Sequence, residues 1–103
     1  MKFLILAKPR SLAPPLANPI AAYEAAREFL KAGLADGRID CVYQFADGQR
    51  SVTIGNADSA EELWEVLTSY PLYPFLELEV YPLVNVAHIF DKALERMKKA
   101  AGG

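Results

Sequence analysis

A chain of 103 residues that is 52% hydrophobic and 23% charged has the composition of one globular domain. A domain this short buries only part of its apolar surface, so some is left for a partner subunit. A formal net charge of -2 offers no basic face for DNA or RNA, and Cys41, the one cysteine, cannot close an intrachain disulfide or complete a metal-ligand spacing. No stretch approaches the roughly 20 apolar residues of a membrane span. Lys8, Pro9 and Arg10 break the opening apolar run too early for a signal sequence, so a cytoplasmic protein is expected.

Residues 3–7 form an apolar run of strand length, stopped by Pro9 and read as a central strand. The proline-rich residues 10–19 read as a loop. Asn18 followed by Pro19 is a helix start, with Asn as cap and Pro in the first turn. Ala22, Tyr23, Ala26, Phe29, Leu30 and Leu34 then recur at helical spacing, and the helix is expected to end near Gly33 or Gly37. Ile39, Cys41, Tyr43 and Phe45 alternate with Asp40, Val42 and Gln44. Asp47-Gly48 next predicts a hairpin, with Val52 and Ile54 on the returning strand.

Ser59 and Glu62 have the spacing of a capping box, in which each residue satisfies the other's backbone N–H, and Leu63, Val66 and Leu67 supply the apolar stripe of the helix they open. Pro71 and Pro74 end that helix, because neither has an N–H to donate to a further turn. Leu76, Leu78 and Val80 alternate with Glu77, Glu79 and Tyr81 as a fourth strand. Val86, Ile89, Phe90, Ala93, Leu94 and Met97 mark a last amphipathic helix at about 85–100, whose end carries Arg96, Lys98 and Lys99, suited to the negative pole of the helix dipole. Its stripe is expected to pack on its own domain or on a partner.

Strand, helix, strand, strand, helix, strand and an added helix make an α+β chain of the ferredoxin-like, split βαβ pattern, read here as one domain over residues 1–103. Two helices cover one face of a four-stranded antiparallel sheet. Strict alternation turns Ile39, Cys41, Tyr43, Leu76, Leu78 and Val80 toward the helices. Val42, Gln44, Glu77, Glu79 and Tyr81 then look away, on a face too apolar for free solvation and suited to a dimer interface enclosing a pocket.

The run from Ser59 to Leu67, followed by Tyr70-Pro71-Leu72-Tyr73-Pro74-Phe75 and the acidic-alternating strand Leu76-Glu77-Leu78-Glu79-Val80, resembles the muconolactone isomerase family. The resemblance covers roughly the second half of the chain. It implies the ferredoxin-like fold, pairing of two sheets into a dimeric α+β barrel, a homodimer or larger ring, and a cofactor-free double-bond shift in a small lactone carboxylate. The chain carries Leu4 and Leu6 where the family has ionisable residues on its first strand, and Ala26 opposite one of its acidic residues. The helix from Val86 onward runs past the family's usual end.

Moving a proton between carbons requires a base beside the carbon and a cation or donor at the substrate's carboxylate. Glu79, which matches the family pattern, and Glu77, two residues before it on the same strand face, are the candidate proton carriers. Arg27 and Arg50 are candidate carboxylate clamps, since a guanidinium grips a carboxylate through two hydrogen bonds. Gln44, Tyr73 and Tyr81 are further candidate ligand contacts. For each of these an ordinary surface or packing role is the competing reading. His88 reads as a surface or capping residue, Trp64 as helix packing against the sheet, and Cys41 as a small core hydrophobe. Two functions follow: a cofactor-independent isomerase or related enzyme on a small organic acid or lactone, and a non-catalytic small-molecule-binding or structural dimeric barrel. Neither nucleic acid nor membrane is expected as a partner.

Overall fold

The computed structural model describes residues 1–102. β1 (Lys2–Pro9), α1 (Pro19–Asp36), β2 (Ile39–Gln44), β3 (Ser51–Asn56), α2 (Ala60–Ser69), β4 (Leu76–Leu83) and α3 (Val86–Ala101) follow in that order, and a 3-10 turn at Tyr73–Phe75 leads into β4. The strands form one antiparallel sheet in the order β2-β3-β1-β4. This is the ferredoxin-like topology, with the first apolar run in the middle of the sheet as its sequence predicts.

Local chemistry sets the element ends. Asn18 Oδ1 accepts from the Ala21 N–H at 3.1 Å, and Pro19 occupies the first turn of α1. The helix passes through Gly33 and stops at Gly37, whose φ of 85° is the left-handed cap conformation that favours glycine. Gly33 lies inside the helix for a packing reason: a Cβ there would come within 2.6 Å of Ile39 Cδ1, so its lack of a side chain lets α1 close onto β2. At α2, Ser59 Oγ accepts from the Glu62 N–H at 3.1 Å, while the Glu62 carboxylate reaches the Asp58 N–H at 3.0 Å, one residue earlier than the reciprocal box predicts. Asp47 Oδ1 accepts from the N–H groups of Gln49 and Arg50 and builds the hairpin turn, with Gly48 at φ 74°.

The core is small. Phe3, Ile5, Ala57 and Leu63 are buried together, with Leu67 and Leu78 packed against them. The register of β1 with β4 sets Ile5 opposite Val80 and Ala7 opposite Leu78 on the helix side, and Leu4 opposite Tyr81 and Leu6 opposite Glu79 on the other. The expected facing of β4 is therefore found.

The expected facing of β2 is reversed beyond its first residue. Ile39 pairs with Gly55 but Cys41 pairs with Ile54, so Asp40 is the extra residue of a β-bulge. Its carboxylate is held by the Lys2 ammonium and by Asn56 Nδ2, the latter at 2.7 Å. An extra residue inverts every later side chain of the strand. Val42 and Gln44 accordingly lie on the helix side, in cross-strand rows Val42–Thr53–Ile5–Val80 and Gln44–Ser51–Ala7–Leu78. Cys41 and Tyr43, expected in the core, lie on the open face in rows Cys41–Ile54–Leu4–Tyr81 and Tyr43–Val52–Leu6–Glu79. Trp64 also departs from expectation: it is 63% exposed, in a groove between α2 and the β4 edge.

α3 has the predicted extent and caps its N-terminus with Asn85, whose Oδ1 accepts from the Ala87 N–H at 2.8 Å. It does not bury its stripe on its own domain. Val86, Ile89, Phe90, Leu94 and Met97 are each 50–66% exposed, and the molecule measures 67 Å along its long axis against 29 and 26 Å across it.

Candidate functional site

A cavity of about 480 Å³ lies between the helix side of the sheet and the two helices that cover it. This volume falls within the usual range for small-molecule sites. Ile5, Ala7, Val42 and Leu78 form its floor, and Ala26, Phe29, Leu30, Leu63, Val66 and Leu67 form its roof. The walls are apolar because the facing rows of the sheet and the inner stripes of α1 and α2 are apolar.

The cavity persists because Gly55, Ser51 and Thr53 of β3 are too small to fill the space beneath α1. Where β1 ends, Tyr23 and Arg27, four residues apart and so on one face of α1, approach Gln44 and the Gly48-Gln49 turn of the hairpin, with Tyr70 and Leu72 closing the rim. At the other end Arg38 and Asn56 line the space. Arg38 is occupied locally, donating to Asp36 at 2.8 Å and resting 5.9 Å above the Phe29 ring. Tyr70 packs its ring on Phe29 at a centroid distance of 5.3 Å, and burial, followed by proximity to Tyr23, pushes its phenol pKa above the ordinary value.

The candidate residues read from the sequence are divided among separate places. Arg27 and Gln44 do line the cavity. The Arg27 guanidinium makes only a 3.4 Å contact with the Glu28 carboxylate and is 63% exposed, which leaves it free to turn toward a ligand. Gln44 reaches this place because of the bulge at Asp40, not through the expected alternation. Arg50 is folded onto its own turn, donating to Asp47 at 2.7 Å and stacking 4.7 Å above Phe45. Tyr73 belongs to a shallow groove at the β4 edge, together with Arg10, Trp64, Leu67, Leu78 and Val80.

Glu77, Glu79 and Tyr81 look out from the open face of the sheet, across the sheet from the cavity. Glu77 pairs with Lys8 at 3.4 Å. The Tyr81 hydroxyl donates to Glu79 at 2.9 Å, and that hydrogen bond to a carboxylate raises the Tyr81 pKa. The cavity lining includes no Asp or Glu. Its polar groups are guanidinium, amide and hydroxyl, which can hold and polarise an anion or a carbonyl. Among the described residues no three His, Cys, Asp or Glu side chains come together as a metal site.

Tyr23, Tyr70, Ser51 and Thr53 line the cavity and were missed by sequence reasoning. Tyr23 could have been found from its spacing to Arg27, and Tyr70 from its place at the head of the two-proline segment.

The fold and this cavity define a ferredoxin-like α+β protein with a small-molecule-sized space beneath its helices. The family pattern of muconolactone delta-isomerase matches residues 1–88, and the chain belongs to that family. A muconolactone delta-isomerase of Rhodococcus opacus is 28% identical over 80 residues, spanning 78% of this chain and 84% of that protein. The crystal structure of a muconolactone isomerase superposes with a TM-score of 0.70 at 20% identity, covering 82% of this chain and 90% of the other. A 5-chloro-2-hydroxyhydroquinone dehydrochlorinase from Burkholderia phenoliruptrix, solved with 2,5-dihydroxybenzoquinone, gives 0.65 at 22% identity, covering 85% and 98%. These two structures share the fold.

Proposed function

We propose that this chain takes a small, mostly apolar organic acid or lactone into the helix-side cavity, with Arg27 and Gln44 at its carboxylate, and has isomerase-like activity on it without a cofactor. The observation that carries this reading is an apolar space of about 480 Å³ whose rim bears a guanidinium held only by a 3.4 Å contact with Glu28 and whose lining bears no carboxylate to repel an anion. Family membership supports the reaction class. Tyr70, half-buried on the wall, adds a hydroxyl that can donate to a carbonyl oxygen.

In this reading Glu77, Glu79 and Tyr81 serve a different purpose. Their face also carries Leu4, Leu6, Val52 and Ile54, and it pairs with the same face of a second copy to give a homodimeric barrel. A small-molecule-binding protein without turnover is the second reading, favoured by the same lack of a carboxylate beside the bound ligand, since a double-bond shift requires a group that removes and returns a proton. Turnover of muconolactone is expected to be weak.

The test is an amide NMR titration with muconolactone, related lactones and small aromatic acids, alongside an isomerisation assay on the same panel. Shifts at Leu30, Val42, Gln44 and Tyr70 are expected. Shifts confined to Leu4, Leu6 and Glu79 would move the site to the open face, and robust muconolactone turnover abolished by Glu79→Gln would restore Glu79 as the proton carrier.

A further inference from the structure

We propose that α3 of one chain seats its apolar stripe in the α2–β4 groove of a second copy, where its basic end meets the acidic outer side of α2. The inference stands apart from the ligand reading above. Besides the open face of the sheet, two surfaces bearing large apolar side chains are uncovered among the described residues. One is the α3 stripe. The other is the groove at the β4 edge, where Trp64, Leu67, Tyr73, Leu78 and Val80 stand beside the charged Arg10 and Glu77, and where Trp64 is 63% and Val80 38% exposed. Contiguous apolar surfaces of this kind mark interaction sites in soluble proteins.

Charge selects the pairing. α2 carries Glu61, Glu62 and Glu65 and no Lys or Arg, and among the described residues neither Glu61 nor Glu65 is in an ion pair. The second half of α3, residues 94–101, carries Arg96, Lys98 and Lys99 against Glu95 alone. Opposed surfaces of this kind fix orientation and suppress other partners. The lengths agree as well: the stripe from Val86 to Met97 is about 18 Å long, and the part of β4 that borders the groove, residues 76–80, spans about 16 Å.

The groove and the stripe of one chain do not meet. Val84 and Asn85 carry the backbone directly from β4 into α3, Asn85 is extended at φ -64° and ψ 126°, and the stripe stays exposed. Reciprocal exchange of α3 between two copies satisfies both surfaces through one two-fold axis, a closed arrangement. The family match ends at residue 88, so most of α3 lies beyond it.

The experiment mixes two full-length chains distinguishable by mass, both with Cys41→Ser, one carrying Met97→Cys and the other Glu65→Cys. Mild oxidation at micromolar concentration is expected to give a disulfide between the two species. Trp64, the sole tryptophan, reports the same event through a blue-shifted emission that Phe90→Glu reverses. Glu61→Lys with Glu65→Lys should weaken assembly at low salt by at least tenfold, and Lys98→Glu with Lys99→Glu in the same chain should restore it.

A disulfide that forms only within a chain carrying both new cysteines, independent of dilution, would overturn the exchange and place α3 on its own groove. So would Trp64 emission and mass unchanged by Phe90→Glu. Binding of the chain to phosphatidylglycerol vesicles through α3, with no mixed disulfide, would assign the stripe to an anionic lipid surface instead.

Discussion

Cys41 sits opposite Ile54 across the β2–β3 ladder, although Ile39, two residues earlier, sits opposite Gly55, only one residue later on β3. That mismatch decides which side chains of β2 see the cavity and which lie on the open face of the sheet. It is fastened at Asp40 by Lys2 and Asn56, while the Asn56 N–H also donates to the Arg38 carbonyl at 2.8 Å.

The hydrogen bonds from Lys2 and Asn56 hold the Asp40 carboxyl below its ordinary value of 3.8. A carboxylate lowered by folding contributes its stability above the unfolded value, and the contribution is lost as the pH falls through the lowered one. Asp40→Asn should therefore destabilise the protein near neutrality, and the gap to wild type should close as the pH falls below about 4. Urea melts at successive pH values measure this, and amide exchange at Cys41 and Asn56 should quicken in the variant.

Because the bulge exchanges the faces of β2, Val42→Asp and Ile54→Asp should have different effects. Ile54→Asp places a charge in the open face and should shift the sedimentation profile toward monomer. Val42→Asp places it on the cavity floor, where it should weaken binding of a carboxylate ligand and leave assembly intact.

Arg27→Gln retains a hydrogen-bond donor but loses the charge. A charge-assisted hydrogen bond contributes roughly twice a neutral one, and solvent reduces the difference at this exposed rim. The expected loss is about three- to tenfold in affinity for small carboxylates, with little change for neutral lactones. Calorimetry on matched acid and ester pairs checks it.

Glu79→Gln should lower the Tyr81 phenol pKa toward its ordinary value, because the carboxylate that now accepts its proton opposes formation of a second negative charge beside it. Titration of the labelled ring carbon by NMR reads this directly. Cavity ligand affinity should stay unchanged, since Glu79 belongs to the opposite face.

Gly33→Ala gains about 1 kcal/mol of helix propensity but brings a Cβ to 2.6 Å from Ile39 Cδ1 and 2.9 Å from its Cγ1. Overpacking costs about 1–3 kcal/mol, so a net destabilisation of about 1 kcal/mol is expected in denaturant melts.

The elements and their order were legible from the residues alone, because they rest on local physics. Asn18, Pro19 and Ser59 open helices through hydrogen bonds made within a few residues. Asp47-Gly48 turns a hairpin within four, and the two-proline segment ends α2 wherever the rest of the chain lies. Together with the alternation of β4 they yield the topology.

The placement of side chains across the sheet depends instead on contacts between distant parts of the chain. Asp40 reads as an ordinary outward residue of an alternating strand; only its contacts with Lys2 and Asn56, 38 and 16 residues away, make it a bulge that turns Val42 and Gln44 inward and Cys41 and Tyr43 outward. The same distinction separates Arg27 from Arg50 and Glu79. All three carry the charges a lactone site requires, but only Arg27 reaches the cavity, because Arg50 satisfies itself on Asp47 and the register of β4 sends Glu79 to the opposite face. Side-chain period is local, whereas the residue that interrupts it is fixed by partners distant in the chain.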